Sequence, residues 1–360
     1  MLVYLFLIFM IGGIVVVEKS LPIKISFKEK KYSFHYALFI SIMLLALFSG
    51  MRGLSVGLDT PSYMRLYTWA EEASYTDYSY YWIEPGYAIL MMVCSHELHL
   101  TFHQFLIFIS IIEYLCIYKF IKRYSLDNFI SILLVISFPL MGFLMTGIRN
   151  GLAICLVLSF VSLLDDKKKI KIVLFEACVV SVALLIHKSA FVFLILPVIA
   201  YHKNTKNTKL CYLIVSICLI LGRSPIYAII NKYWKNVGET QNISLGISFL
   251  VYLLIYIICK ILYEKNNHSE FDITELSSRA LFWSLVLSIM TNGGADIMSR
   301  MVINLQAFII ILIPNAIRAT NKKIQNKFIL FLLIFLGALL HYLIFVLYLD
   351  PYGILPYQRY

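Results

Sequence analysis

Twelve apolar stretches, at 2–17, 34–51, 103–121, 127–145, 149–164, 170–186, 189–201, 210–222, 245–263, 280–292, 301–315 and 327–349, dominate the sequence. A helix crosses the ~30 Å hydrocarbon core of a bilayer in about 20 residues. Inside that core every backbone polar group must be bonded within the protein, so such runs are expected to fold as helices. Composition agrees: 61% of the residues are hydrophobic and 14% charged, with a mean hydropathy of +0.82, against roughly half apolar and a quarter charged in soluble domains. An ordinary water-soluble enzyme, a disordered chain and a nucleic-acid-binding module are excluded. The net charge of +11 does not argue otherwise, because cations of a membrane protein gather in cytoplasmic loops and set its orientation. The seven cysteines lie in apolar stretches and form no CxxC pair, so neither a zinc site nor a disulfide framework is expected.

The cations yield a topology. Lys19–Lys31, Lys119–Arg123, Lys167–Lys171, Lys203–Lys209, Lys260–Arg279 and Arg318–Lys327 form six inside groups, holding 22 of the 31 basic residues. The first run has no basic residue before it and Glu18-Lys19 after it, the pattern of an uncleaved first span with its N-terminus outside. Residues 86–100 are moderately apolar but short, and carry His96, Glu97 and His99. Counted as a span they would invert everything downstream, so they are expected to form an interfacial or re-entrant helix, with a tilted thirteenth span as the alternative. The expectation is a single all-α polytopic domain over 1–360 with about 12 spans (11–14) and both termini outside. An outer loop with a short helix covers 52–85, and a second outer loop 223–244.

Basic residues are sorted by type as well as by side. Inside stand 19 Lys and three Arg; outside stand six Arg (Arg52, Arg65, Arg149, Arg223, Arg300, Arg359) and three Lys (Lys188, Lys232, Lys235). Lysine suffices for orientation, whereas a planar guanidinium grips phosphate or carboxylate oxygens through paired hydrogen bonds. The distribution hints at an anionic ligand on the outer side.

Arg52 opens Arg52-Gly53-Leu54-Ser55-Val56-Gly57-Leu58-Asp59-Thr60-Pro61-Ser62-Tyr63, which reads as a loop entering a helix capped by Asp59 or Thr60 with Pro61 in its first turn; a juxtamembrane Arg beside a capped helix is the plain alternative. Arg149, in Gly147-Ile148-Arg149-Asn150-Gly151 between two apolar runs, is a functional candidate because a charge so near hydrocarbon faces a cavity or a partner. Snorkelling to the headgroups is the competing account. His187-Lys188-Ser189 interrupts the stretch 172–201, which must then be a hairpin with His187 at its outer tip. Its short arms suggest a tip below the lipid surface, at the floor of an outward-open cavity, where an imidazole can serve as a base; a hairpin tip that merely happens to be polar is the plain alternative. Arg300 follows Asn292–Asp296 and either pairs with Asp296 or binds an anion. Arg223 carries a weaker signal, and the tyrosines around 63–87 suit an interface belt or sugar stacking. No histidine has metal-ligand spacing.

Taken together, Arg52…Gly57-Leu58-Asp59-Thr60…Tyr63, Glu84-Pro85-Gly86-Tyr87, Gly147-Ile148-Arg149-Asn150-Gly151-Leu152-Ala153, His187-Lys188-Ser189-Ala190 and Pro356-Tyr357 resemble the EpsG/Wzy-like family of bacterial O-antigen, capsule and exopolysaccharide polymerases. Leu58 stands where many members have a polar residue. The resemblance implies a GT-C-like outward-facing cavity in the cytoplasmic membrane. It implies a metal-independent glycosyltransferase, without cofactor, that transfers glycan from an undecaprenyl-pyrophosphate carrier to the terminal sugar of a lipid-linked repeat unit. Both substrates are undecaprenyl-pyrophosphate-linked oligosaccharides; a chain-length regulator and a flippase are candidate membrane partners, and nucleic acid is not. On that basis Asp59, Glu84 and His187 compete as proton acceptors. Arg52, Arg149, Lys188 and Arg300 are expected at the pyrophosphate, and Tyr63, Tyr87, Asn150 and Arg223 at the substrate more weakly. The rival readings are a lipid-linked oligosaccharide flippase, an O-antigen ligase, a sugar transferase using a lipid-phosphate sugar, and a membrane O-acyltransferase. Cations clustered at outer helix ends disfavour the flippase.

Overall fold

The computed structural model describes the chain except residues 1, 22–23, 28–29, 34–35, 77–82, 139, 167, 203–204, 234–245, 264–270, 292–296, 320–331, 333–335 and 360. The regular structure among the described residues is helical apart from one antiparallel hairpin, β1 (Lys24–Phe27) and β2 (Lys30–Ser33). They form two compact units: Met1–Ser159 with Leu185–His187 and Lys322–Tyr360, and Phe160–Leu184 with Lys188–Asn321.

The first unit contains α1 (Leu2–Ser20), α2 (Tyr36–Gly50), α3 (Thr60–Glu72), α4 (Pro85–Met92, running on as a π turn over Val93–Glu97), α5 (Phe102–Tyr124), α6 (Asn128–Ser137), α7 (Leu140–Thr146) and α8 (Ile148–Phe160). α5 starts in a reciprocal capping box between Thr101 and Gln104 and ends on Lys122 and Arg123, both of which favour a helix of this sense. It lies antiparallel to α2. A Cβ on Gly50 would sit 2.7 Å from the Ile107 Cα, so only glycine lets these backbones meet, as is common where membrane helices pack. The Ser49 and Tyr114 hydroxyls pair at 3.0 Å further along, and the rings of Phe39 and Tyr118 meet at 5.8 Å near the far end. The Lys119–Arg123 end of α5 therefore lies beside the start of α2, and Arg52 lies at the opposite end of the unit. α3 buries Tyr63, Leu66, Tyr67 and Ala70, one face at helical spacing, against Tyr87 and Met91 of α4 and Phe105 and Ile109 of α5.

The second unit contains α9 (Lys169–Leu174), α10 (Ser181–Ile186, up to Leu184), α11 (Leu196–Tyr201), α12 (Lys206–Leu221), α13 (Arg223–Tyr233), α14 (Ile247–Leu262), α15 (Ile273–Met290), α16 (Ile297–Gln306) and α17 (Ile309–Ala319). α9 and α10 are joined by a π turn, Phe175–Val180, and a 3-10 stretch, Lys188–Ile195, leads into α11. α15 is the centre of the unit and packs against α11, α12, α14, α16 and α17. Its start carries an ion cluster in which Glu275 accepts from Lys260 at 3.0 Å and from Arg279, one turn on, at 3.1 Å.

Four described helices are long and apolar enough to cross a membrane: Leu2–Ser20, Phe102–Tyr124, Ile273–Met290 and Ile297–Ala319. The number is six if the bent pairs Asn128–Ser137 with Leu140–Thr146 and Lys206–Leu221 with Arg223–Ile229 each form one span. The twelve spans expected from the apolar runs are not reached among the described residues. Tyr36–Gly50, Ile148–Leu164, Lys188–Tyr201 and Ile247–Leu262 are apolar but only 10–17 residues long, because Gly50, Gly147, His187 and Gly246 interrupt or bound them. Residues 327–331 and 333–335 of the run 327–349 lie outside the described residues, and its later part is helical, with a π turn over Tyr342–Tyr348; 234–244 of the expected second outer loop, whose first part is α13, also lie outside them. The 86–100 segment folds as α4 and its π turn, too short for a span, with Tyr87, Met91, Met92 and Cys94 buried. The chain is a polytopic helical membrane protein.

Candidate functional site

At the Arg52 end of the first unit, the loop after α2 is tied to the C-terminal segment. Gly53 N–H donates to the Gln358 carbonyl at 2.7 Å, Gly57 N–H to that of Gly353 at 2.8 Å and Leu58 N–H to that of Tyr352 at 3.0 Å. The Tyr357 ring stacks on Phe48 at 4.2 Å, and the Tyr4 hydroxyl donates to the Ile354 carbonyl at 2.9 Å. Thr146, at the end of α7, donates to Tyr352 O at 2.6 Å. Gly57 has φ +90, and a Cβ there would lie 2.5 Å from the Met145 carbonyl oxygen; both the backbone conformation and the close approach require glycine. α3 starts at Thr60 with Pro61 in its first turn, but the expected side-chain cap does not form. Asp59 adopts helical dihedrals without a capping hydrogen bond, and the Thr60 hydroxyl turns back to the Val56 carbonyl at 2.7 Å.

Candidates from three distant segments meet beside this loop. Arg149 in the first turn of α8 donates through Nη1 to Glu84 Oε2 at 2.6 Å, with 15% of its side chain exposed against 7% for Glu84. Its guanidinium lies 5.8 Å from the Tyr63 ring centroid, and Tyr63 meets Tyr87 edge-on at 6.0 Å. Glu84 occupies the N-terminal end of α4 in extended conformation, where a carboxylate is also favoured by the helix dipole. Asn150 follows Arg149 and is fully buried.

Arg52 is differently placed. Only 1% of it is exposed, and its Nη1 donates to the Ser49 carbonyl at 2.5 Å. The carboxylate that acts on it most strongly is Glu113, in mid-α5. Glu113 is itself 1% exposed, and its Oε1 has no hydrogen-bond partner among the described residues. A Cβ on Gly151 would stand 2.8 Å from that oxygen, so this glycine lets α8 pass the carboxyl. Glu113 escaped the sequence reading, which weighed charges at loop positions. Its signal was in plain view, since an ionisable residue inside an apolar span is a functional candidate by default.

His187 stands between α10 and the 3-10 stretch, and the two arms pack on one another through Phe175–Val180 and Lys188–Ile195, so the chain reverses there. Leu185–His187 belongs to the first unit. The Leu185 Cβ and carbonyl oxygen each lie 2.8 Å from where a Cβ on Gly86 would be, and Ile186 packs on the Tyr63–Tyr87 cluster. The buried His187 thus ends a segment resting on the start of α4, two residues from Glu84.

The remaining candidates are in the second unit. The Asn304 amide donates to the Ser189 carbonyl at 3.0 Å, which sets Lys188 and Arg300, one turn before Asn304, at the same end of that helix pair. Arg223 Nε donates to Met290 O at 3.0 Å and Nη2 to Thr291 O at 3.4 Å. The guanidinium therefore serves the carbonyls at the end of α15, where a cation is favoured. The proposed partner of Arg300, Asp296, lies outside the described residues.

In both units the polarity of charge is maintained. Lys19 and the Lys119–Arg123 group stand at the end of the first unit opposite Arg52 and Arg149. In the second unit Lys206, Lys209 and Lys260 stand at the end opposite Arg223. The EpsG family matches residues 35–359. No curated protein and no solved structure matches the chain.

Proposed function

The chain belongs to the EpsG family, and from that premise we propose that it is a Wzy-type polymerase of polysaccharide repeat units. It works at the outer face of a bacterial cytoplasmic membrane, and its substrates are undecaprenyl-pyrophosphate-linked oligosaccharides. Family membership itself carries a membrane protein of polysaccharide biosynthesis with a polymerase-like role; the carrier, the direction of transfer, the GT-C-like cavity and metal independence are the proposed refinements. The observation supporting them is the ion pair of Arg149 with Glu84, preorganised against Tyr63 and still partly accessible.

In the proposed reaction an acceptor hydroxyl oxygen bonds to the donor's anomeric carbon as the bond from that carbon to the carrier's phosphate oxygen breaks. The carrier pyrophosphate leaves with the bonding pair. Arg149 stabilises the charge developing on it. A diphosphate competing for Arg149 displaces Glu84, which is then free to accept the acceptor's proton; binding of the donor thereby creates the base. Asp59 and His187 remain the alternative acceptors. Tyr63 and Tyr87, both buried, wall the pair. Lys188 and Arg300 are proposed as further pyrophosphate cations. The test is incubation of the purified chain with a synthetic undecaprenyl-pyrophosphate repeat unit. A ladder of products is expected, and a ladder of equal length from Arg149→Ala would sink the assignment.

A further inference from the structure

A cleft of about 570 Å³ in the second unit lies between α12, α14 and α15 and is lined along its length by Leu213, Ile220, Phe282, Val286 and Ile289. At one end it meets Lys209, Lys260, Glu275 and Arg279. This is the lysine-rich end of the unit, opposite Arg223, and none of these groups takes part in the reaction proposed above.

Two properties narrow what the cleft can hold. The first is shape with polarity: its wall is overwhelmingly apolar and its charged groups are confined to one mouth, so the occupant must be an amphiphile. The second is the sign of the charge. Three cations stand against a single carboxylate, and that carboxylate is already engaged by Lys260 and Arg279. Lys209 is exposed, and its ammonium has no partner among the described residues. Lys260 donates to both Glu275 oxygens, and an ammonium has three donors, so one stays over. The apolar cleft of about 610 Å³ along α1 in the first unit provides a contrast, since Lys19 and Asp127 leave it with no net charge.

We infer that the α12–α14–α15 cleft is a binding site for a membrane phospholipid with an anionic headgroup. One acyl chain lies along Leu213, Phe282 and Val286, and the phosphate sits between Lys209 and Lys260. Basic pockets between membrane helices select such headgroups, with each cation near the surface favouring an anionic lipid about fivefold.

The experiment is native mass spectrometry of the purified full chain, with phosphatidylglycerol or phosphatidylcholine of identical acyl chains added to the detergent. Phosphatidylglycerol is expected to be retained at least tenfold more strongly. Lys209→Gln should weaken its retention about fivefold and Lys209→Glu about 25-fold, while Lys209→Arg retains it; Lys209 is solvent-exposed, so the fold tolerates all three. Equal retention of the two lipids, or indifference to Lys209→Glu, overturns the inference. So does displacement of phosphatidylglycerol by millimolar inorganic phosphate, which would mark a site for free anions.

Discussion

Replacing both members of the Arg149–Glu84 pair separates a structural ion pair from a catalytic one. The contact is short, 2.6 Å, and the partners are 15% and 7% exposed, so removing one strands the other in a poorly hydrated place. Arg149→Met should therefore destabilise the chain by about 3–5 kcal/mol, whereas Arg149→Met with Glu84→Met, which removes both charges and fills the space, should recover nearly all of it. Catalysis obeys a different rule. Loss of a preorganised cation at developing charge costs about 2.7–4 kcal/mol of transition-state stabilisation, or 10²–10³ in turnover, and the apolar double variant cannot restore that.

Unfolding of the purified chain in mixed detergent micelles by SDS titration gives the first quantity, and chain elongation from a synthetic lipid-linked repeat the second. The expected pattern is stability lost in the single variant and regained in the double, with turnover down at least a hundredfold in both. Arg149→Lys is the finer probe. It keeps a cation opposite Glu84 and should destabilise the chain less than Arg149→Met does, yet lose at least tenfold in turnover because an ammonium lacks the planar fork. A double variant that turns over within tenfold of the parent would refute the reasoning outright, since the pair would then be scaffolding.

Other expectations follow from the same geometry. Arg52 is sealed beneath the C-terminal segment, so phenylglyoxal should not modify it in the intact chain but should do so in a chain ending at Leu349; modification of both would mean the segment does not cover it. Arg223→Met removes two charge-assisted hydrogen bonds from the end of α15 and should cost about 2 kcal/mol in SDS unfolding, whereas unchanged stability would return Arg223 to the ligand-binding candidates. A single reactive cysteine at the exposed Ser55 should be labelled by an impermeant maleimide from outside intact cells and one at Lys122 should not. The reverse pattern inverts the proposed orientation.

What the sequence disclosed depended on the range of the interaction. Apolar runs and the distribution of lysines are local or additive, and they led to a helical membrane protein; within each unit the two ends differ in charge. The short motifs led to the family, and Arg149 and Glu84, 65 residues apart, were named without any means of knowing that they touch. Helix length is less legible, because hydropathy averages over a window while a single Gly or His at a turn is enough to break a helix. The Asp59 cap failed for a related reason: the side chain was right, but the loop is held by backbone bonds to residues some 300 positions away, and these fix its dihedrals. Glu113 could have been singled out as an ionisable residue inside an apolar run, but its approach to Gly151 is a product of packing, and no spacing announces it.

The excess of arginine at the cation-poor end now has a competing cause. A guanidinium has five donors and is weakly hydrated, which makes it the cation most easily buried against internal acceptors. Arg52 donates to the Ser49 carbonyl, and Arg223 to the carbonyls at the end of α15; both roles suit an arginine with no ligand present. Arg149 differs in that its partner is a carboxylate, chemically the same kind of acceptor as a phosphate, and in that part of it can still be reached. A group held by an exchangeable anion at the edge of a buried cluster can hand over from one anion to another at little cost, whereas one bonded to backbone carbonyls cannot. If the outer arginines signal an anionic substrate, the signal from the first unit rests on Arg149, which Glu84 and Tyr63 hold in place.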